Sequence, residues 1–245
     1  RSSSVLNHEE CRVNLSEAKV LITGGSSGIG LETARQLRER GAAVAVCGRR
    51  EDVLAEAAAA IDAVAIAGDV SLEDDAKRIA ATAIERLDGL DTLINNAGFG
   101  RFAPLLETTV DDLEAVHGTN VRGAMLMARE CARHFVERAG GNIVNVSSTA
   151  GTKGFPGGTV YASSKFALSA MTECWRAELR PHDVRVMQIN PSEVITEFSR
   201  NAGGAQDANP TKLHAEDIAH AILSMLAMHD RGFTTELTVF ATNPK

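Results

Sequence analysis

The stretch GGTVYASSKFALSA, residues 157–170, contains the chain's single tyrosine, Tyr161, four residues ahead of Lys165. Residues four positions apart lie on one face of a helix, so the phenol and the ammonium would stand side by side. A tyrosine with a pKa of about 10 is a poor acid or base at neutral pH, and a nearby ammonium favours the phenolate and lowers that pKa. The pair therefore predicts general acid–base chemistry, although Tyr and Lys at this spacing also occur as an ordinary surface pair.

A second candidate is the glycine-rich stretch TGGSSGIG, residues 23–30, which follows a short apolar run and precedes LETARQLRERG. A strand, a glycine turn and a helix in this order place free backbone N–H groups at a helix N-terminus, where they bind phosphate. The spacing of Gly24, Gly28 and Gly30 differs from the commoner G-x-G-x-x-G. The stretch predicts a phosphate cradle, and the alternative is a glycine turn without a ligand.

Short β-branched runs alternate along the chain with longer Ala- and Leu-rich segments. The predicted strands are 19–23, 42–47, 63–68, 91–96, 142–148, 184–190 and 236–240. The predicted helices are 28–40, 51–60, 72–88, 111–138, 160–180 and 214–229. This alternation predicts an α/β domain with a doubly wound parallel sheet of about seven strands, whose ligands bind beyond the carboxyl ends of the strands.

The length of 245 residues predicts one domain over 17–245. The opening residues lack an initiator Met and an apolar signal core, so we expect 1–16 to be a flexible tail or a remnant of cloning.

Composition excludes several classes of function. The net charge of −7 argues against nucleic acid or an anionic membrane as partner. The four cysteines form no CxxC or Cys/His cluster, so we expect no metal site, no disulfide framework and a cytoplasmic location. No apolar run approaches the ~18 residues of a membrane-spanning helix. A small-molecule partner fits these observations best.

Further motifs follow the glycine turn in a fixed order: GDV at 68–70, NNAG at 95–98, GTNVRG around Asn120, IVNVSS at 143–148, YASSK at 161–165 and NPSEVIT at 190–196. In order and spacing they resemble the short-chain dehydrogenase/reductase family, and the resemblance extends over most of the chain. The single-domain branch of that family implies a Rossmann-like fold, a three-layer αβα sandwich, and a nicotinamide cofactor. It also implies hydride transfer between that cofactor and a carbonyl or secondary alcohol.

The resemblance assigns roles to individual residues. The catalytic set would be Asn120, Ser148, Tyr161 and Lys165, with Ser148 bonding the substrate oxygen and Asn120 anchoring a water that links Lys165 to solvent. Ser147 competes with Ser148, but the separation from Tyr161 favours Ser148. Asn120 also has a plain alternative, that of a buried amide satisfying backbone groups. The implied cofactor-binding set is Gly24, Ser26, Ser27, Gly28, Ile29, Gly30, Asp69, Val70, Asn96, Ala97, Gly98, Tyr161, Lys165, Pro191, Val194 and Thr196.

Cofactor preference depends on VCGRRED, residues 46–52. An NAD site usually presents an acidic residue about twenty residues beyond the glycine turn. Arg49 and Arg50 occur here instead, and arginine can bind the 2′-phosphate of NADP. We therefore expect NADP(H) to be preferred over NAD(H), the alternative being that both arginines are merely solvated.

Other features qualify the resemblance. Ser192 stands where many members have Gly, and the chain lacks the DGG ending of common 3-oxoacyl reductases. We expect a short substrate lid around 192–212 and a homodimer or homotetramer formed through helices 111–138 and 160–180. A nucleotide sensor of the same fold without turnover is the alternative function. A sugar-nucleotide epimerase would need a longer C-terminal domain.

Overall fold

The computed structural model describes residues 14–196 and 211–243. Seven parallel strands form one sheet in the order β3-β2-β1-β4-β5-β6-β9. Its strands are β1 Lys19–Thr23, β2 Ala43–Gly48, β3 Val64–Ala67, β4 Thr92–Asn95, β5 Gly141–Val146, β6 Val184–Pro191 and β9 Glu236–Val239. The strand order reverses between β1 and β4, so the loops after these two strands open a crevice at the carboxyl edge.

Side-chain alternation explains why the sheet is covered on both faces. Along β1, Val20 and Ile22 belong to one apolar core, whereas Leu21 belongs to the other, and all three are fully buried. A strand with two buried faces is apolar throughout, as the sequence pattern predicted.

Helices form the two outer layers. They are α1 Gly28–Glu39, α2 Glu51–Ala60, α3 Glu73–Arg86, α4 Val110–His117, α5 Ala124–Glu137, α6 Thr159–Leu179 and α7 Ala215–Leu226. Helices α1 and α7 pack together, as do α3, α5 and α6. The prediction of a doubly wound parallel sheet in a three-layer sandwich is confirmed.

The segment 111–138, predicted as one helix, is two helices joined by a turn of π-helix, Gly118–Gly123. The turn brings Gly123 against Val70, where an added Cβ would lie 2.8 Å from the valine methyl. A π-turn inserts a residue into a helix and often marks a functional site. Here it contains Asn120.

The sequence pattern also missed a two-stranded parallel pair, β7 Val194–Ile195 and β8 Leu213–His214. The predicted lid at 192–212 falls mostly on residues 197–210, outside the described part. Residues 1–13 of the predicted tail also lie outside the described part. Leu15, which the prediction placed in the tail, packs against the apolar core that contains Val20 and Ile22.

Two features are absent from residues 14–196 and 211–243. No helix there is long and apolar enough to cross a membrane. No group of three His, Cys, Asp or Glu side chains there could hold a metal ion.

Candidate active site

The glycine turn after β1 leaves no room for side chains at Gly24 and Gly30. Gly24 and Gly28 have positive φ angles of 66° and 54°, which strain any L-residue with a side chain. A Cβ on Gly24 would lie 2.9 Å from the Cα of Ala97, and one on Gly30 would overlap the Gly24 carbonyl oxygen and the Asn96 amide. Helix α1 begins here without a side-chain cap from Ser27. The first N–H groups of the helix are therefore available to an anion.

Asn96 holds this turn in place. Its side-chain Nδ2 donates to the carbonyl oxygens of Thr23 and Gly24, at 2.9 and 3.0 Å. The Thr23 hydroxyl in turn accepts hydrogen bonds from the backbone N–H groups of Asn96 and Ala97. The end of β4 and the glycine turn are thus one hydrogen-bonded unit, and Asn96 contributes to it as a support.

The ends of β2 and β3 border the turn. Arg49 and Arg50 are exposed, and within residues 14–196 and 211–243 neither forms an ion pair. Asp69 accepts hydrogen bonds from the backbone N–H and the hydroxyl of Ser71, at 2.9 and 2.8 Å, while Val70 is buried. Both arginines are thus free to bind an external anion.

Tyr161 and Lys165 lie in the first two turns of α6, and both are almost fully buried. The Lys165 Nζ donates to the Val146 carbonyl oxygen at 2.8 Å and lies 5.8 Å from the centre of the tyrosine ring. Tyr161 and Lys165 therefore lie on one face of the helix, as their separation of four residues predicted.

The expected lowering of the Tyr161 pKa by the nearby ammonium is wrong. Burial raises the pKa of Tyr161 to about 12, and a hydrogen bond with Ser148 acts in the opposite direction. Burial also lowers the pKa of Lys165 to about 8. In both groups loss of solvent disfavours the charged form and is the largest influence on the pKa.

Ser148, and not Ser147, faces Tyr161. Its Oγ accepts from the Ala150 N–H at 3.1 Å, lies 3.5 Å from the Pro191 carbonyl oxygen, and is hydrogen bonded to Tyr161. The Ser147 hydroxyl points to the body of α6, 3.5 Å from the Lys165 carbonyl oxygen. The two hydroxyls point to opposite faces because side chains alternate along extended backbone.

Asn120 links the π-turn to two neighbouring elements. Its Oδ1 accepts from the Phe99 N–H at 3.0 Å, and its Nδ2 donates to the Phe99 carbonyl oxygen at 2.9 Å and to the Ser164 Oγ at 3.0 Å. Gly98 allows this approach, because an added Cβ would lie 3.0 Å from the Asn120 oxygen and 3.7 Å from the Lys165 Nζ. Asn120 is therefore a buried amide that satisfies backbone groups, as the plain alternative had it. The same contacts hold its side chain close to Lys165.

The end of β6 closes the site. The Ser192 N–H donates to the Val239 carbonyl oxygen at 2.9 Å, so the side chain that replaces the usual glycine is accommodated without loss of pairing to β9. The Thr196 methyl lies 3.5 Å from the place a Cβ on Gly28 would take. Val194 begins β7, so Pro191, Val194 and Thr196 lead from β6 back to the glycine turn.

Sequence reasoning missed two aromatic residues and one serine at this site. Phe102 packs edge-on against Tyr161, and Phe155 packs against Phe102. Ser164 donates to the Tyr161 carbonyl oxygen at 2.7 Å while it accepts from Asn120. The signal for the phenylalanines was available, since both lie in glycine-rich loops that follow strands, where an exposed aromatic side chain is unusual.

The family model for short chain dehydrogenase matches residues 18–207. The chain belongs to this family and is an oxidoreductase with a Rossmann-like fold. An uncharacterized oxidoreductase of Bacillus subtilis, YxnA, is 36% identical over 222 residues, covering 85% of this chain. The chain spans 62% of that protein's length. The glucose 1-dehydrogenase of Gluconobacter oxydans is 32% identical over 91% of this chain and 89% of its own.

Solved structures agree with this assignment. A serine dehydrogenase complexed with NADP+ superimposes with a TM-score of 0.85 at 28% identity, covering 90% of this chain and 93% of its own. A 3-ketoacyl-(acyl-carrier-protein) reductase from Brucella melitensis, complexed with NADH, gives 0.84 at 28% identity and covers 92% and 98%. Relatives with this fold thus bind either nicotinamide dinucleotide.

Proposed function

We propose that this protein is an NADP(H)-dependent oxidoreductase that interconverts a carbonyl compound and a secondary alcohol, with Tyr161 as general acid and base. The observation that supports it best is the meeting of the buried Tyr161 and Lys165 with the partly buried Ser148 at the carboxyl edge of the sheet. It lies at the same edge as a glycine turn whose free N–H groups suit a pyrophosphate.

The residues of the crevice fit a dinucleotide. Gly24 and Gly30 let the turn pack tightly against Asn96 and Ala97, and Gly28 is open, so the backbone N–H groups of the turn would meet a phosphate closely. Arg49 and Arg50 are exposed beside the turn and would bind a 2′-phosphate with charge-assisted hydrogen bonds. Asp69 and Val70 would meet the adenine. Ser26, Ser27, Ile29, Ala97, Gly98, Pro191, Val194 and Thr196 would line the rest of the cofactor site.

The nicotinamide supplies or accepts the hydride when bound. Tyr161 donates its proton to the carbonyl oxygen during reduction, and the Ser148 hydroxyl orients and polarises that oxygen. A pKa raised to about 12 keeps the phenol protonated at neutral pH, so the acid is ready. The Lys165 ammonium stabilises the phenolate left behind, and a pKa lowered to about 8 lets Lys165 pass a proton to solvent through a water that Asn120 would anchor.

The remaining proposals concern location and assembly. The protein would act in the cytoplasm on a small molecule, as a homodimer or homotetramer. A groove of about 520 Å³ between α5 and α6, lined by Met125, Ala128, Val136, Trp175 and Leu179, supports pairing through these helices. Light scattering of the purified protein tests this, and a monomer at micromolar concentration would contradict it.

The decisive experiment follows reduced nicotinamide absorbance with a panel of ketones, aldehydes, sugars and 3-oxoacyl thioesters. Tyr161→Phe keeps the ring and removes the proton, so turnover should fall by at least ~10²-fold while NADPH still binds. Lys165→Met should weaken both turnover and cofactor binding, and Lys77→Met, at an exposed lysine of α3, should change neither.

Two results would overturn the proposal. One is a Phe variant that reduces its substrate at the wild-type rate. The other is tight NADPH binding without turnover of any member of the panel, which would support the nucleotide sensor instead.

A further inference from the structure

Phe102, which packs against Tyr161, and Phe155, which packs against Phe102, are only half buried. Phe102 is 39% exposed and Phe155 is 44% exposed. The Phe102 and Tyr161 ring centres lie 5.5 Å apart at an interplanar angle of 76°, and Phe102 and Phe155 lie 5.9 Å apart. The chain has eight Phe, one Tyr and one Trp, so three of its ten aromatic residues meet at this one place.

The two rings are held by anchored loops. The Ala103 N–H donates to the Gly157 carbonyl oxygen at 3.0 Å, which ties the loop after β4 to the loop after β5. Asn120 bonds both backbone groups of Phe99 at the start of the first loop. A Cβ on Gly158 would lie 2.6 Å from the Phe155 ring, so that ring lies flat on the backbone. The surface made by Phe102 and Phe155, the aromatic wall, is therefore preformed.

A role in the core does not explain the wall. Phe135, a core residue, is fully buried, whereas both wall residues leave more than a third of their surface uncovered. Covering such a ring is favourable, since apolar surface gains about 25 cal/mol for each Å² removed from water. The wall is thus a surface at which a ligand gains affinity.

The position of the wall determines which part of a ligand it meets. Phe102 contacts the Tyr161 ring, and Tyr161 and Ser148 bond to each other where a carbonyl oxygen would bind. A substituent on that carbonyl carbon lies next to Phe102. The nearby Arg101 lies 5.9 Å over the Phe99 ring and 3.7 Å from Asp112, so its charge is already partnered.

We propose that Phe102 and Phe155 form a substrate subsite that selects neutral carbonyl compounds carrying a flat apolar group, such as an aryl ring, next to the carbonyl. This rests on the proposed oxidoreductase function. A ring stacked on the wall aligns the carbonyl with Tyr161 and Ser148, which favours aryl ketones over small aliphatic ones.

The test compares kcat/KM for acetophenone with that for butanone in the wild type and in Phe102→Ala, Phe155→Ala and Phe102→Leu. Because an aromatic pair contributes about 0.5–1.5 kcal/mol beyond area burial, the acetophenone-to-butanone ratio should fall about 3- to 10-fold per ring lost, mainly through KM. Phe240→Ala, at a 67% exposed ring beyond β9, is the matched control and should keep the wild-type ratio.

Failure of the subsite and failure of the proposed function are distinguishable. If the wild type reduces ketones and the Ala variants keep its ratio, the subsite is refuted while the function stands. Acetophenone binding to the Tyr161→Phe variant saturated with NADP+, measured by calorimetry, needs no turnover. Loss of that binding on adding Phe102→Ala supports the subsite even if no ketone is reduced. If Phe102→Ala instead changes the oligomeric state with no change in the ratio, the wall is a subunit contact and the subsite is refuted.

Discussion

The glycine turn after β1 and the catalytic face of α6 lie at the same edge of the sheet but are built in opposite ways. The turn works because side chains are missing at Gly24 and Gly30, where any Cβ would collide with backbone. The catalytic face works because Tyr161 and Lys165 are present and almost fully buried. Steric exclusion acts locally and is independent of solvent, whereas the chemistry of a buried ionisable group depends on everything that surrounds it.

The two regions therefore respond differently to change. A substitution in the turn alters shape and should act on cofactor affinity and stability together. A substitution on the catalytic face alters proton affinity and should act on turnover with little change in shape.

Gly30→Ala should have the largest effect on stability. Its new methyl group collides with the Gly24 carbonyl oxygen and the Asn96 amide, neither of which can move freely. We expect a loss of about 3 kcal/mol in the free energy of unfolding, the upper part of the range for overpacking, together with loss of NADPH binding. Urea denaturation and calorimetry measure both.

The control is Gly140→Ala, because an added Cβ there meets nothing within 4 Å. It should be close to neutral. Equal stability of the two variants would show that the turn relaxes around the new methyl group. Steric crowding would then not explain why glycine is needed at this position.

The single tyrosine allows a direct titration of the catalytic face. Phenolate absorbance should show a midpoint near 12, about two units above the ordinary value, because burial disfavours the charged form. The stability that a neutral Tyr161 contributes is present below pH 10 and is lost as the pH rises towards 12. Addition of NADP+ should lower the midpoint, because the oxidised nicotinamide carries a positive charge.

Tyr161→Phe has no tyrosine and should give a flat trace. A midpoint at or below 10 in the cofactor-free protein would show that Lys165, and not burial, controls the phenol.

Arg49→Ala should reduce the preference for NADPH over NADH. A hydrogen bond to a charged group contributes about 1.5–3 kcal/mol, so the ratio of the two kcat/KM values should fall by about 10- to 150-fold, chiefly through KM for NADPH. The effect should shrink as salt rises. Arg231→Ala, exposed and lining the opposite edge of the sheet, is the control. A wild-type preference for NADH would exclude Arg49 as the determinant.

Ser164→Ala should have the smallest effect. It removes the hydroxyl that joins Asn120 to the Tyr161 carbonyl oxygen, at a cost of about 1 kcal/mol and hence about a 5-fold fall in kcat. The KM for cofactor should not change, and the alkaline limb of the pH–rate profile should move, because Asn120 is no longer held beside Lys165.

Ser163→Ala removes a similar bond, to the Val160 carbonyl oxygen, on the side of α6 that faces His117. It should leave the pH profile unchanged. If the two serine variants have the same pH–rate profile, Ser164 has only a structural role.

Local patterns were sufficient for most of the architecture. The order of strands and helices, and the bounds of β1 and α2, follow from period and turn residues. The choice of Ser148 over Ser147 followed from its separation from Tyr161 along the chain. The break at 118–123 was missed although GTNVRG contains two glycines, which are poor helix formers. Its π-helical form could not be predicted, because the turn is held by contacts such as that of Asn120 with Phe99, 21 residues away. The pairing of β7 with β8 likewise joins segments distant in sequence.

Taken alone, the sequence determined which groups are available: glycines at the turn, a phenol and an ammonium on one helix face, and two arginines after β2. These follow from short-range geometry, because within one helix or turn the separation of two residues in sequence fixes their relative position. Only the tertiary structure decided that Tyr161 is a weak acid with a pKa raised to about 12, that Asn96 supports the turn, and that Phe102 and Phe155 stand beside the phenol. Burial and contacts between separate loops set these properties, and both depend on where the rest of the chain packs.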